Sequence, residues 1–168
     1  MDTIKVFDEK NYAPHWKRNL REAVRAVIIQ GNQVAMVKSL AGGYYKFPGG
    51  GIEQGETRME ALHRETMEEA GLKITSAKEY GMVHEIRRDL YKEEIFEQKS
   101  YYYMAETDEN SIERGFSGCE LESGSIPEWV SLQKAYEDNM RLSQNMDTAF
   151  LLREACVLKL LIESGEQW

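Results

Sequence analysis

Residues 48–72 read PGGGIEQGETRMEALHRETMEEAGL, a run of glycines followed by an acidic helical pattern. The pattern predicts a helix over Thr57–Ala70, because Thr57 and Glu60 have the spacing of a capping box and Gly71 supplies a left-handed stop. The glycine run predicts a loop, since glycine allows close backbone approach and positive φ. The sequence therefore predicts a glycine loop that leads directly into a capped helix.

The two faces of this helix differ in character. At 100° per residue, one stripe is expected to pack on the core; it consists of Met59, Leu62, Thr66 and Ala70. The nearly opposite face carries three acids at i,i+3 and i,i+4 spacing, namely Glu65, Glu68 and Glu69. Like charges at these spacings cost about 0.2–0.5 kcal/mol each, and acids in the last turn also oppose the helix dipole. The acidic face is therefore electrostatically unfavourable by itself.

A divalent cation bound by the three carboxylates would offset this repulsion, since Mg²⁺ takes carboxylate oxygens and keeps waters for a phosphate-bearing substrate. Arg64, at i,i+4 spacing from both Glu60 and Glu68, compensates only in part. An acidic helix face is usually solvated surface, but Gly49–Gly51 directly upstream are typical of backbone amides that bind phosphate. No Gly-Lys-Ser/Thr follows these glycines, so the loop is not a P-loop.

Beyond this segment the chain alternates between strand and helix patterns. Residues 23–29 and 33–38, joined by a turn at 31–32, predict a β-hairpin. Further strands are expected at 98–106, where Tyr101–Tyr103 are interpreted as sheet packing, and at 128–132. An amphipathic helix is expected over 147–164; its inward residues would be Phe150, Leu151, Leu158, Leu161 and Ile162. This order predicts a mixed α/β layer fold.

Composition limits the partners and the compartment. The 168 residues suffice for one domain, and the net charge of −8 disfavours nucleic acid and anionic membranes as partners. The longest apolar run, Tyr101–Ala105, is far shorter than the roughly 20 residues of a membrane span. Residues 1–22 lack the apolar stretch of a secretory signal, and Cys119 and Cys156 are interpreted as reduced thiols, so a cytoplasmic location is expected.

The glycine loop and the acidic helix also resemble a known family. Gly50, Glu56 and the run from Arg64 to Leu72 have the spacing of the Nudix box, Gly-x5-Glu-x7-Arg-Glu-U-x-Glu-Glu-x-Gly-U, where U is an apolar residue. Every fixed position of the pattern is matched, and Thr66 stands at the first U position, where its methyl group can still pack on the core. The flanking segments 44–48 and 128–132 look like the family's lead-in and late strand, so the resemblance covers roughly residues 22–162.

The resemblance implies an α/β/α sandwich around a mixed β-sheet, with an N-terminal arm over residues 1–21 and a single Nudix hydrolase domain of the MutT-like sort over residues 22–164. It further implies hydrolysis of a nucleoside diphosphate linked to another group, with Mg²⁺ or Mn²⁺ as cofactor. A small nucleotide is then the expected partner, and a homodimer stays open.

The candidate site residues fall into three groups, of which the first two are carried over from the family. The implied metal ligands are the Gly49 carbonyl with Glu65, Glu68 and Glu69, joined by a glutamate of a later loop, for which Glu120 and Glu122 are candidates. The implied catalytic residues are Glu65, as general base if the base lies in the box, and Arg64 and Glu56, which would orient the ligands. Gly50 and Gly51 are assigned to substrate binding together with Arg25, a charge on an apolar strand that must be paired, bound to an anion or exposed at an edge.

The substrate is the least constrained part of the interpretation. The prolines are Pro14, Pro48 and Pro127, so the proline that often follows the box in ADP-ribose pyrophosphatases is missing. We therefore expect a nucleoside triphosphate, a damaged one included, to be cleaved to the monophosphate and pyrophosphate. Two alternatives stay open: an ADP-ribose or nucleotide-sugar pyrophosphatase, and a non-catalytic nucleotide sensor, which the intact acids Glu65, Glu68 and Glu69 disfavour.

Overall fold

The computed structural model describes residues 1–108, 124–144 and 149–165. Its strands are β1 (Thr3–Asp8), β2 (Arg18–Val27), β3 (Ile29–Gln30), β4 (Gln33–Ser39), β5 (Tyr45–Lys46), β6 (Ile74–Arg88), β7 (Ile95–Thr107) and β8 (Ser125–Ser131). Its helices are α1 (Arg58–Ala70), α2 (Leu132–Ser143) and α3 (Ala149–Ser164). The helices predicted at 57–70 and 147–164 and the strands predicted at 98–106 and 128–132 are confirmed as α1, α3, β7 and β8.

The strands form two sheets. The first has the order β1-β6-β7-β2, in which β6 and β7 are antiparallel while β1 runs parallel to β6 and β2 parallel to β7. The second is antiparallel, with β3 and β8 on β4 and β5 also paired to β4. The predicted hairpin is confirmed only at its turn, where β3 pairs with β4, Ile29 lies opposite Val34 and Gly31 is left-handed. Residues 23–27, expected in its first strand, belong instead to β2, which pairs in parallel with β7 in the other sheet.

Helices cover the sheets on both sides, which confirms the α/β/α sandwich with a mixed sheet. On one side α1 buries Ala61 and Leu62 against Val24, and on the other side α3 buries Leu158 against Val27. Successive residues of a strand face opposite sides. Tyr101 and Tyr103 accordingly lie in the α1-side core and Tyr102 in the opposite core, so the interpretation of these rings as sheet packing is confirmed.

Several elements differ from the sequence expectation. The fifteen-residue strand β6 and helix α2 were not predicted. The N-terminal segment was expected to be an arm, yet β1 pairs with β6 and Arg18–Arg21 begin β2. Met59 was expected in the core and is 37% exposed, because α1 first reaches the sheet at Ala61 and Leu62. None of the helices in the described ranges is long and apolar enough to cross a membrane.

Candidate active site

The glycine loop is fixed along the free edge of β2. The β2 amides of Val24 and Ala26 donate to the carbonyls of Gly50 and Pro48 over 2.9 and 2.8 Å. Gly49 has φ +141°, and a Cβ there would come within 2.1 Å of the Val24 carbonyl oxygen. The loop therefore approaches β2 more closely than any residue with a side chain would permit.

Helix α1 presents its acids to this loop. The helix begins at Thr57 with a complete capping box and ends at a left-handed Gly71, as predicted. Glu69 accepts a hydrogen bond from the Gly49 amide over 2.9 Å. The Glu65 carboxylate lies so close to Gly50 that a Cβ on that glycine would come within 2.3 Å of it. Glu68 is exposed, one turn along on the solvent side.

Arg64 holds these groups in place. Its Nε and Nη2 atoms donate to the two oxygens of Glu56, both over 2.9 Å, and this pair lowers the pKa of Glu56 to about 2. Its Nη1 atom donates to Glu65 over 2.8 Å and to Glu68 over 3.3 Å. A fourth partner is the Gly51 carbonyl, which accepts from Nη2. Arg64 thus connects the loop to two of the acids of α1.

The acids fit a hard divalent cation in type. Glu65, Glu68 and Glu69 all supply carboxylate oxygens, which Mg²⁺ and Mn²⁺ prefer. Within the described ranges, no three acidic, histidine or cysteine side chains already converge on a common point. Glu68 turns to Arg64, while Glu69 turns to the Gly49 amide. Burial raises the pKa of Glu69 and outweighs the opposing effects of the Gly49 amide and the nearby charges of Arg25 and Lys46.

Cationic side chains form the other wall of the same cleft, which has a volume of about 490 Å³. They come from β2, β6, β5 and α3, and they are Arg21, Arg25, Lys46, Arg87 and Arg153. Among the described residues, three carboxylates also line the cleft, namely Glu65, Glu69 and Glu85. Within that part of the chain, cations therefore outnumber anions in the cleft, although the whole chain carries a net charge of −8.

Arg25 is buried in the floor of the cleft, with 5% of its surface exposed. The alternative that it lies at an exposed edge is therefore wrong. Its Nη1 atom donates to the Gly49 carbonyl, the predicted metal ligand. Its Nε atom is buried and has no hydrogen-bond partner within the described ranges. A buried guanidinium with an unused donor in a cleft is a suitable group for an anion.

Other cleft residues were missed by the sequence analysis. Gln98 and Phe96 on β7 face the cleft beside Arg21 and Arg87, because the paired strands bring these positions into register. Such pairing joins residues distant in the chain, and no local pattern reveals it. Glu154 of α3 did leave a signal, since it falls on the inward stripe of a predicted amphipathic helix. Glu120 and Glu122, the candidate loop glutamates, lie outside the described residues.

Comparison with known proteins identifies the family. The sequence profile of the NUDIX domain matches residues 19–149, more than half of the chain. The chain belongs to the Nudix family.

Curated relatives of this Nudix protein act on phosphorylated nucleotides, by their names. It is 38% identical over 63 residues to an 8-oxo-dGTP diphosphatase of Proteus vulgaris, covering 35% of this chain and 56% of that protein. It is 38% identical over 85 residues to the nucleoside triphosphatase NudI of an Enterobacter species, covering 46% and 60%. A 29-residue match to an RNA pyrophosphohydrolase of Helicobacter pylori is 62% identical and covers 17% of this chain and 19% of that protein. The chain thus spans from about a fifth to three fifths of the lengths of these relatives.

Solved structures agree on the fold. A NUDIX hydrolase from Nitrosomonas europaea superposes with a TM-score of 0.56 at 20% identity, covering 89% of this chain and 93% of that one. A MutT protein from Bacillus halodurans superposes with a TM-score of 0.50 at 19% identity, covering 70% and 72%. At these identities the likeness establishes the Nudix fold alone.

Proposed function

We propose that this Nudix protein is a divalent-metal-dependent hydrolase that cleaves a pyrophosphate bond of a nucleoside diphosphate linked to another group, and that nucleoside triphosphates are its preferred substrates. The products are then a nucleoside monophosphate and pyrophosphate. The observation that carries this proposal is the cleft in which the acids of α1 face a cluster of guanidinium and ammonium groups.

The charge of the cleft matches a polyphosphate. An anion with several charges would be repelled by a protein of net charge −8 unless a local excess of cations received it. Arg21, Arg25, Lys46 and Arg87 provide that excess, since Arg153 is already paired with Glu85 and Glu154. Burial of its guanidinium end and the neighbouring charges of Arg25 and Arg153 lower the pKa of Arg21. A bound phosphate would relieve this mutual repulsion.

The residues of the box divide the remaining work. Glu65, Glu68 and Glu69 would hold the cation, which when bound would neutralise charge on the phosphate oxygens and orient the attacking water. Arg64 keeps Glu65 in place, with Glu56 anchoring the guanidinium from the loop. Glu65 is the base that we assign to accept the proton of the attacking water. Arg25 and the amides of Gly50 and Gly51 would bind phosphate oxygens.

The relatives favour the triphosphate within this reaction class. Two of them are named for nucleoside triphosphate substrates, and both match longer stretches of this chain than the RNA pyrophosphohydrolase does. The missing downstream proline points the same way, since it sets the chain apart from ADP-ribose pyrophosphatases.

A substrate panel tests the proposal. Canonical and oxidised nucleoside triphosphates, ADP-ribose and a nucleotide sugar are incubated with the protein in Mg²⁺, in Mn²⁺ and in EDTA, and phosphate is measured after coupling to pyrophosphatase or phosphatase. We expect metal-dependent turnover with triphosphates best in kcat/KM. A tenfold preference for ADP-ribose, about 1.4 kcal/mol in transition-state stabilisation, would overturn the substrate class but not the reaction. Tight binding without any turnover would favour the sensor alternative.

A further inference from the structure

Strand β5 leads into the glycine loop. One of its edges is bound by side chains of two helices, at the place where another strand would pair in a larger sheet. One edge of β5 pairs with β4, Tyr45 opposite Lys38 and Lys46 opposite Val37. At the other edge, Asn139 of α2 accepts from the Tyr45 amide and donates to the Tyr45 carbonyl, both over 2.9 Å. This buried carboxamide reproduces the pair of hydrogen bonds that a neighbouring strand would make.

Glu154 of α3 continues the same edge. One of its oxygens accepts from the Phe47 amide over 3.1 Å. The other accepts from Nε and Nη2 of Arg153 over 2.9 and 2.7 Å and from the Tyr102 hydroxyl over 3.4 Å. Arg153 in turn contacts Glu85 of β6, and Glu85, Arg153 and Glu154 are each at most 3% exposed.

The segment held in this way carries part of the cleft. Lys46 lies between the two anchored amides and lines the cleft, and Pro48 and Gly49 follow directly. We propose that Glu154 and Asn139 are positioning residues for hydrolysis: they hold the backbone of residues 45–47 from the helix side and thereby set where Lys46 and the Gly49 loop stand relative to Glu69. This inference rests on the proposed function for its kinetic consequence.

The chemistry of position 154 explains why a carboxylate is needed. Both oxygens of Glu154 act as acceptors, one toward Phe47 and one toward Arg153 and Tyr102. A glutamine has one acceptor oxygen, and the side with three donors would take it. The amide nitrogen of the substituted side chain would then face the Phe47 N–H, two donors in contact, and the Phe47 bond would be lost. Glu154→Gln therefore removes the backbone anchor while keeping the side chain's size. It also takes one of two carboxylate charges from Arg153, which keeps its contact with Glu85.

The experiment compares Glu154→Gln with Glu163→Gln, the same chemical change on the exposed face of α3. Glu163 forms a 3.7 Å ion pair with Lys159. Amide exchange is followed residue by residue, and kcat and KM are measured with a nucleoside triphosphate in Mg²⁺. In Glu154→Gln we expect the Phe47 amide to exchange at least tenfold faster and kcat to fall about tenfold or more. We expect KM to rise by a smaller factor than kcat falls, because Arg21, Arg25 and Arg87 belong to the other sheet, whereas only Lys46 and Arg153 among the cleft cations depend on this segment or on Glu154. Glu163→Gln should match the parent in all three.

Asn139→Asp gives an independent second test, since aspartate keeps the acceptor for the Tyr45 amide and loses the donor to the Tyr45 carbonyl. It should reproduce the kcat loss from a different helix, and it decides the matter if Glu154→Gln does not fold. The positioning role is overturned if a variant exchanges its amides at residues 45–47 faster than the parent but keeps the parent's kcat. It is also overturned if a variant loses kcat while its amides exchange at the parent's rate. If the parent hydrolyses no nucleotide, the proposed function fails separately, and the exchange rates alone then uphold or refute the anchoring by Glu154 and Asn139.

Discussion

Replacing Glu68 with glutamine tests whether this residue is a metal ligand or a solvated surface residue. The Glu68 side chain is 49% exposed and makes one ion pair, to Nη1 of Arg64 over 3.3 Å at i,i+4 spacing. Losing an exposed pair of this kind costs about 0.3–0.5 kcal/mol. Removing the charge also relieves the i,i+3 repulsion from Glu65, about 0.2–0.5 kcal/mol, and an unfavourable helix-dipole interaction of about 0.3–1 kcal/mol.

The gains equal or exceed the loss, so without metal Glu68→Gln should be as stable as the parent or up to about 1 kcal/mol more stable. Activity should behave differently. If Glu68 ligands the cation, its lost charge weakens the ion where phosphoryl charge must be neutralised. The expected fall in kcat is on the order of a hundredfold, about 3 kcal/mol, the scale of a principal electrostatic contact in a preorganised site.

The assay measures the free energy of unfolding by denaturant in EDTA and kcat at saturating Mg²⁺ on the same preparation. The matched control is again Glu163→Gln, because Glu163 is likewise an exposed helical glutamate four residues after a cation. The control should leave both stability and turnover unchanged. If Glu68→Gln keeps nearly the parent's turnover, Glu68 is not a metal ligand and the acidic face of α1 is ordinary solvated surface.

Three further predictions concern the metal, the cleft and pH. Mg²⁺ or Mn²⁺ at a hundred times its Kd should increase the free energy of unfolding by about 2.7 kcal/mol through linkage, and so raise the thermal midpoint. A midpoint that is the same with metal and with EDTA, together with no heat of binding, contradicts the metal site. Arg21→Ala should raise KM for triphosphates about tenfold while Arg18→Ala does not, since Arg18 lies on the opposite face of β2 and pairs with Glu97 over 3.0 Å; equal effects would indicate a loss of general charge only. Burial and the hydrogen bond to Glu22 raise the pKa of Tyr101 to about 12 from 10.0. The protonated Tyr101 hydroxyl therefore stabilises the fold fully below pH 10, and this stabilisation is lost as the pH rises toward 12. In Tyr101→Phe the unfolding free energy should fall less steeply over that interval than in the parent. If the two proteins lose stability in parallel, Tyr101 is not the source of the pH dependence.

Local interactions explain which elements were predictable. The bounds of α1 follow from a capping box and a terminal glycine, all within one stretch of sequence, and the structure reproduces both. Strand β6 was missed because its sequence lacks a clean alternation of apolar and polar residues: charged residues fall on both faces, Glu85 among the buried ones, and Gly81 interrupts it. Strand β1 depends on pairing with β6, a partner some eighty residues away.

The same distinction applies to the site. Arg64, Glu56 and the three acids of α1 were predicted because one helix and its preceding loop carry them. Of the cationic side chains that line the cleft, the sequence analysis identified only Arg25, because its charge interrupts an apolar strand. Lys46 and Arg87 gave no local signal, since strand pairing and the packing of α3 bring them to the cleft.

The alternation of β2 has a consequence for how this protein can change over evolutionary time. Arg21 and Arg25 point into the cleft from the same strand whose Val24 and Ala26 fill the core under α1. Inserting or deleting a single residue in β2 would exchange the two faces, placing guanidinium groups in the core and aliphatic groups in the cleft. New specificities can therefore arise in β2 by substitution but not by changes in length, whereas the 89–94 connection between β6 and β7 can be lengthened without exchanging any residue between core and cleft.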